Sequence, residues 1–241
     1  MHIGILEDDP LQQRFLANAL KKSKPALTLS LFARASELFK ALQRQTFDVL
    51  IIDWCLPDAD GMELVRQLRQ DLGWHGPVLF ITASQGENDV VMALESGADD
   101  FLAKPIRPAE LRARLAALAR RADITRTAQP EAIAVGTYVL DQTAHTVVVN
   151  GETVGLTPRE YKLAALLFSH VGRLFSREHL LEMVWGTNAS LSTRTVDTHM
   201  SRLRKKLSLS SNHDVRLRSI YQYGYRLELV GDDASQLYKK D

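Results

Sequence analysis

Five short apolar runs punctuate the first half of the chain: HIGIL at 2–6, TLSLFA at 28–33, VLIID at 49–53, VLFIT at 78–82 and DFLAK at 100–104. Each is too short for a buried helix and is predicted as a strand. Between and after them, apolar residues recur at helical spacing near 10–22, 35–44, 61–71, 87–95 and 108–121. A repeated strand-then-helix order with strands apolar throughout predicts a parallel sheet covered on both faces, an α/β fold of the doubly wound, five-stranded kind.

The texture changes after Arg120-Arg121. The stretch ADITRTAQPEA is polar, holds a proline and keeps no apolar period, so a linker is placed at 122–131. Beyond it come strand-like pieces around 132–156, helical patterns at 158–170, 176–184 and 192–208, and a hairpin-like 215–229. The organisation expected is a first domain over 1–121, the linker, a smaller α+β domain over 132–230 and a tail over 231–241.

A length of 241 residues with 45% hydrophobic and 24% charged positions is that of an ordinary globular protein, and two domains fit it better than one. The longest apolar stretch, LAALLF at 163–168, is far short of the roughly 18 residues a membrane span needs, so no membrane partner is expected. MHIGILEDDP lacks the basic start of a secretory signal, and the single cysteine, Cys55, cannot form an internal disulfide. A cytoplasmic protein is expected. The net charge of +1 conceals a local excess: segment 192–226 carries eight Lys or Arg against Asp197 and Asp214, the electrostatic footprint of a phosphate-backbone binder.

In doubly wound sheets ligands bind outside the carboxyl ends of the strands, where this sequence places Glu7, Asp8, Asp53, Thr82 and Lys104. Three converging carboxylates repel one another unless a cation joins them, and an all-oxygen site that keeps waters suits Mg2+. A carboxylate nucleophile, a metal, an ammonium and a hydroxyl together can carry phosphoryl transfer. Asp53 ends the central strand and precedes WCLPDADG, which makes it the candidate nucleophile. Taken singly, Asp8, Asp9 and Asp53 also read as ordinary turn residues at strand ends.

Through LEDD at 6–9, DWCLPDADG at 53–61, ITAS at 81–84 and GADDFLAKP at 97–105, residues 1–121 resemble the receiver domain of two-component response regulators, a flavodoxin-like fold. The resemblance implies that Glu7 and Asp8 are an acidic pair and that Asp53 accepts a phosphoryl group from a sensor histidine kinase. It implies that the Cys55 carbonyl completes the Mg2+ shell, that Thr82 and Phe101 form a switch pair, that Lys104 contacts the phosphoryl group, and that Lys104-Pro105 is cis. Cys55 and Ser84 occupy the two positions that tune phosphoaspartate lifetime. Neither carries an amide or carboxylate to orient an attacking water, so slow self-dephosphorylation is expected.

Within STRTVDTHMSRLRKKL at 192–207, Val196, Met200, Leu203 and Leu207 form a core-facing stripe. Arg194, Thr198, Ser201, Arg202 and Lys205 fall on the opposite face, as a helix laid in a major groove requires, with Ser192 or Thr193 to cap its start. A basic surface helix alone has the same pattern. With LTPREYKLAALLF at 156–168, SREHLLEMVW at 176–185, RTVDTHMSRLRKKL at 194–207 and GYRL at 224–227, the region resembles the winged helix-turn-helix effector domain of the OmpR/PhoB family. The resemblance implies a recognition helix at 192–207, an RNA polymerase-facing loop at 185–191 and a wing at 215–227. Phosphate contacts are then expected from Arg202, Arg204, Lys205, Arg218 and Arg226, and base contacts from Arg194, Thr198, Ser201 and Arg202. The wing carries Tyr221-Gln222-Tyr223 where the family has a basic residue and glycine, leaving Tyr221 to touch the backbone.

The family's dimer face is matched by Asp99, Asp100, Glu110, Arg114 and Arg121, with Val90 at a position usually basic. The expected function is a phosphorylation-dependent transcriptional regulator, not an enzyme, that binds promoter DNA as a homodimer. A regulator that binds DNA without phosphorylation is the alternative. A phosphatase of the haloacid-dehalogenase type needs a second Asp where Cys55 stands, and EDDP after the first strand is not a glycine-rich nucleotide loop. A receiver whose basic helix engages a protein remains open, and salt-sensitive retention on DNA separates it.

Overall fold

The computed structural model describes residues 1–21, 27–83, 87–123, 132–186, 192–210 and 214–230; of 87–90 and 121–123 it describes the backbone only. Ser84, most of the expected linker, the loop 187–191 and the expected tail lie outside the described residues, as do the side chains of Val90 and Arg121. The chain divides into two compact units, Met1–Thr125 and Arg126–Asp241.

In the first unit β1 (His2–Leu6), β2 (Thr28–Phe32), β3 (Val49–Asp53), β4 (Val78–Thr82) and β5 (Asp100–Ala103) form a parallel sheet in the order β2-β1-β3-β4-β5. Between and after them run α1 (Pro10–Lys21), α2 (Ala35–Leu42), α3 (Gly61–Gln70), α4 (Glu87–Glu95) and α5 (Pro108–Asp123). Alternate strand residues explain the apolar runs. Ile3, Ile5, Val49, Ile51, Leu79 and Ile81 pack with Leu16 and Leu20 of α1 and with Leu111, Leu115 and Leu118 of α5, while Leu50, Ile52 and Phe80 between them are buried as well. Strands buried on both faces have no polar alternation to show. The fold is the doubly wound one the periodicity predicts, and α5 runs two residues past its expected end.

The second unit begins with an antiparallel sheet of β6 (Ala132–Val135), β7 (Tyr138–Asp141), β8 (Thr146–Val149) and β9 (Glu152–Val154). Then follow α6 (Pro158–Phe168), β10 (Leu174–Phe175), α7 (Arg177–Trp185), α8 (Arg194–Lys206), β11 (Val215–Ile220) and β12 (Gly224–Leu229). Helix α6 starts where it does because Thr157 and Glu160 cap each other's backbone amides ahead of Pro158. Strand β10 is absent from the sequence reading because two residues carry no period. Its pairing with β12 leaves no room at Gly224, where a Cβ would sit 2.0 Å from the Phe175 carbonyl oxygen, and φ of +139° is one only glycine adopts easily.

Candidate functional site

Glu7, Asp8 and Asp53 meet at the carboxyl ends of β1 and β3, each offering an oxygen within 4.8 Å of the others. Asp53 is only 5% exposed and Glu7 is fully buried, whereas Asp8 is exposed. Lys104, just beyond β5, reaches into the cluster: its Nζ donates to Asp53 Oδ2 at 2.8 Å and Glu7 Oε2 at 3.0 Å. Its own amide donates to the Thr82 carbonyl at 2.7 Å, which ties the ends of β4 and β5 together. The Lys104-Pro105 bond is cis.

Burial dominates at Glu7. It outweighs the lowering by Lys104 and, with the nearby Asp53 charge, pushes the carboxyl up to about 7. Burial opposes the Lys104 charge, but its bonds to Asp53 and Glu7 prevail and its pKa is raised. The donor set is three carboxylates with no nitrogen or sulfur side chain, which fits a hard divalent cation of the Mg2+ kind.

Behind Asp53 the chain turns sharply. Trp54 donates to the Ile81 carbonyl at 3.0 Å, Gly61 donates back to the Trp54 carbonyl at 3.0 Å, and Cys55 bridges Asp60. Asp60 then caps α3 by accepting from Met62 N at 2.8 Å. A Cβ on Gly61 would lie 2.8 Å from the Asp53 carbonyl oxygen, so this close approach demands glycine. Thr82 is buried at the end of β4, and Phe101 is half-buried on β5.

On α5, Arg114 donates to Asp100 Oδ1 at 2.8 Å and to Glu110 Oε1 at 2.9 Å. Asp99 is engaged within the first unit, accepting from Arg69 Nη2 and Val78 N at 2.8 Å each. That engagement was not legible from the sequence, because Arg69 lies thirty residues away on α3.

In the second unit Val196, Met200, Leu203 and Leu207 are buried, and Arg194, Thr198, Ser201, Arg202 and Lys205 are all exposed on one face of α8. The Ser192 hydroxyl accepts from Arg194 N at 3.3 Å, while Thr193 makes no side-chain cap. Two arginines expected at phosphate are placed otherwise. Arg204 is half-buried, with Nε and Nη2 donating to the Leu217 carbonyl at 3.1 and 2.9 Å. Arg226 is 3% exposed and paired with Glu228, its Nε 2.7 Å from Oε1. Glu228 lies two residues along the same strand, on the same face of β12, and also accepts from Arg216 opposite it on β11. Arg218 remains half-exposed, and Tyr221, at the tip of the β11–β12 hairpin, is 84% exposed.

One contact set was missed in the sequence. Asp197 of α8 accepts from Arg177 Nε of α7 at 2.8 Å and from the Tyr225 hydroxyl of β12 at 2.7 Å, locking the helix against both neighbours.

Residues 3–116 match the family described as the response regulator receiver domain, and residues 151–227 match the C-terminal domain of transcriptional regulatory proteins. The phosphate regulon transcriptional regulatory protein PhoB of Escherichia coli (strain K12) is 40% identical over 180 residues, covering 74% of this chain and 77% of that protein. PhoB of Rhizobium meliloti (strain 1021) is 37% identical over 94% of this chain and 98% of its own length. The DNA-binding response regulator MtrA of Mycolicibacterium smegmatis is 33% identical over 93% of this chain and 95% of its own length.

Proposed function

Because the chain belongs to the OmpR/PhoB family of two-component response regulators, we propose that Asp53 accepts the phosphoryl group and that α8 carries the DNA contacts. The protein is a phosphorylation-dependent transcriptional regulator, with a histidine kinase and promoter DNA as its partners. The observation that carries the assignment of Asp53 is its shared position: its carboxylate lies within 4.8 Å of oxygens of Glu7 and Asp8 and 2.8 Å from the Lys104 ammonium.

Glu7, Asp8, Asp53 and the Cys55 carbonyl are the groups that would hold Mg2+, which supplies neutralising charge to the phosphoryl oxygens. An Asp53 oxygen forms the new P–O bond as the bond from phosphorus to the donor breaks. Lys104 is the group within reach to pair with the arriving oxygens, exchanging its bond to Asp53 for one to phosphate. Thr82 then moves toward the added charge and vacates space for the Phe101 ring, which changes the surface of α4, β5 and α5. With Cys55 beside the acceptor, no amide or carboxylate there orients a hydrolytic water, and the phosphorylated form is long-lived.

Dimerisation through this surface, with Asp100, Glu110, Arg114 and Arg121 among its charges, brings two winged helices to adjacent half-sites. Base contacts come from Arg194, Thr198, Ser201 and Arg202, and phosphate contacts from Arg202, Lys205, Arg218 and Tyr221. The expected RNA polymerase contact is the loop 185–191, most of which lies outside the described residues. The protein works in the cytoplasm, and its domains are 1–121 and 132–230, joined by 122–131. Among the described residues no helix is long and apolar enough to cross a membrane.

The test is phosphorylation of the full chain by a small phosphodonor with Mg2+, followed by DNA retention. Wild type should gain one phosphoryl mass and bind DNA more tightly, and Asp53→Ala should do neither. Equal affinity with and without phosphorylation would favour the phosphorylation-independent alternative.

A further inference from the structure

The loop Trp54 to Asp60 is closed at its base by the Gly61 amide and the Cys55–Asp60 bridge, and its outer end is held elsewhere. Asp58 Oδ1 accepts from Ala35 N at 2.9 Å and its Oδ2 from Ser36 N at 3.2 Å. These are the first two amides of α2. They have no intrahelical acceptor, and a helix ordinarily satisfies such groups with its own N-cap side chain. Here the N-cap residue is Arg34, which makes no side-chain cap bond. A loop residue more than twenty positions downstream supplies the missing acceptor. Partial desolvation works against the Asp58 charge, but the Ala35 and Ser36 amides hold its carboxyl below the ordinary range, so it is an anion aimed at a helix N-terminus.

We propose that Asp58 is a positioning residue for the phosphoryl site: by fastening the outer end of the loop to α2, it fixes the Cys55 backbone against Asp53. The inference rests on the reading of Asp53 as acceptor and of the Cys55 carbonyl as a Mg2+ ligand. The loop follows the acceptor directly, and a ligand supplied by backbone has no rotamer of its own, so its position is that of the loop. With the base closed and the tip tethered, the loop is ordered before the cation arrives, and the cost of ordering it does not weaken binding.

A purely local role, capping α2, is the competing account, and it can be separated. Arg34 has the extended φ and ψ of an N-cap, −137° and 146°, so Arg34→Ser gives α2 a cap of its own. In the full chain, Arg34→Ser combined with Asp58→Ala keeps the helix capped and cuts the tether. Mg2+ alone is titrated by tryptophan fluorescence, which Trp54 beside the acceptor reports, and phosphorylation by acetyl phosphate is followed by intact mass. The double variant is expected to melt with wild type, to need about tenfold more Mg2+ at the midpoint, and to recover its phosphorylation rate at saturating Mg2+. Asp58→Asn, which keeps one acceptor oxygen, should fall between and serves equally if the double variant does not fold. A wild-type Mg2+ midpoint in whichever of these variants folds overturns the tether while leaving Asp53 as acceptor. A wild-type chain that neither binds Mg2+ nor gains mass at Asp53 overturns both.

Discussion

The half-buried Lys104 ammonium rests 2.8 Å from the buried Asp53 carboxylate. It is the countercharge that lets Glu7, Asp8 and Asp53 share one crevice before a metal or phosphoryl group enters. Replacing it by Met keeps the stem and removes the charge, so the carboxylates are left to repel one another. Lys104→Met should lower the stability of the metal-free protein by about 2 kcal/mol, and added Mg2+ should raise its Tm by more than it raises that of wild type. Equal Mg2+ responses in calorimetry would refute this.

On α8 the proposed base and phosphate contacts can be told apart by salt. Lys205→Ala should weaken binding to every DNA sequence alike and reduce the slope of log K against log salt by about 1. Arg202→Ala should in addition cost about 1–3 kcal/mol of discrimination between the specific site and a single-base variant. Retention measured over a salt series on both DNAs decides it; an Arg202→Ala protein that discriminates as wild type does removes that residue from base readout.

Arg226 and Tyr221 lie on one hairpin and should fail in opposite ways. Arg226→Ala takes a buried guanidinium from Glu228 and should destabilise the second unit by about 3 kcal/mol, measured by denaturant unfolding. Tyr221→Ala should leave stability within about 0.5 kcal/mol and weaken DNA binding instead. Loss of DNA binding by Arg226→Ala without loss of stability would return that arginine to the interface.

The second unit should also be acid-sensitive. Burial opposes the charge of Glu228, but Arg216 and Arg226 hold its carboxyl below the ordinary 4.5; at Glu160, burial is likewise outweighed by Lys206 and the Thr157 backbone. A carboxyl with a folded pKa below its unfolded one adds stability above the unfolded value and loses it as pH falls through the folded one. Protection of the β11–β12 amides from exchange should therefore be flat from pH 7 to about 5 and fall below 4.5, less steeply in Glu228→Gln. A profile for Glu228→Gln that superimposes on wild type would assign the acid sensitivity to other groups.

Glycine at 224 is required by a backbone approach. Gly224→Ala brings a methyl onto the Phe175 carbonyl at a positive φ, and should destabilise the second unit by on the order of 3 kcal/mol while leaving acetyl phosphate labelling of Asp53 unchanged. Labelling lost together with stability would show the two units to be energetically linked.

The sequence by itself determined the two architectures, the carboxylates that meet in the acidic crevice and the exposed face of α8. Apolar periods of two kinds are written locally along the chain, and residues at strand ends converge because a parallel sheet brings those ends to one edge. What only the tertiary structure decided is who pairs with whom across distance. It gave Asp99 to Arg69, Arg216 to Glu228, Asp197 to both Arg177 and Tyr225, and Asp58 to the start of α2. An Asp or Arg looks the same in a sequence whether it faces solvent, DNA or a partner tens of residues away. The difference lies in strand register and loop closure, which fix the few ångströms over which a hydrogen bond exists or does not.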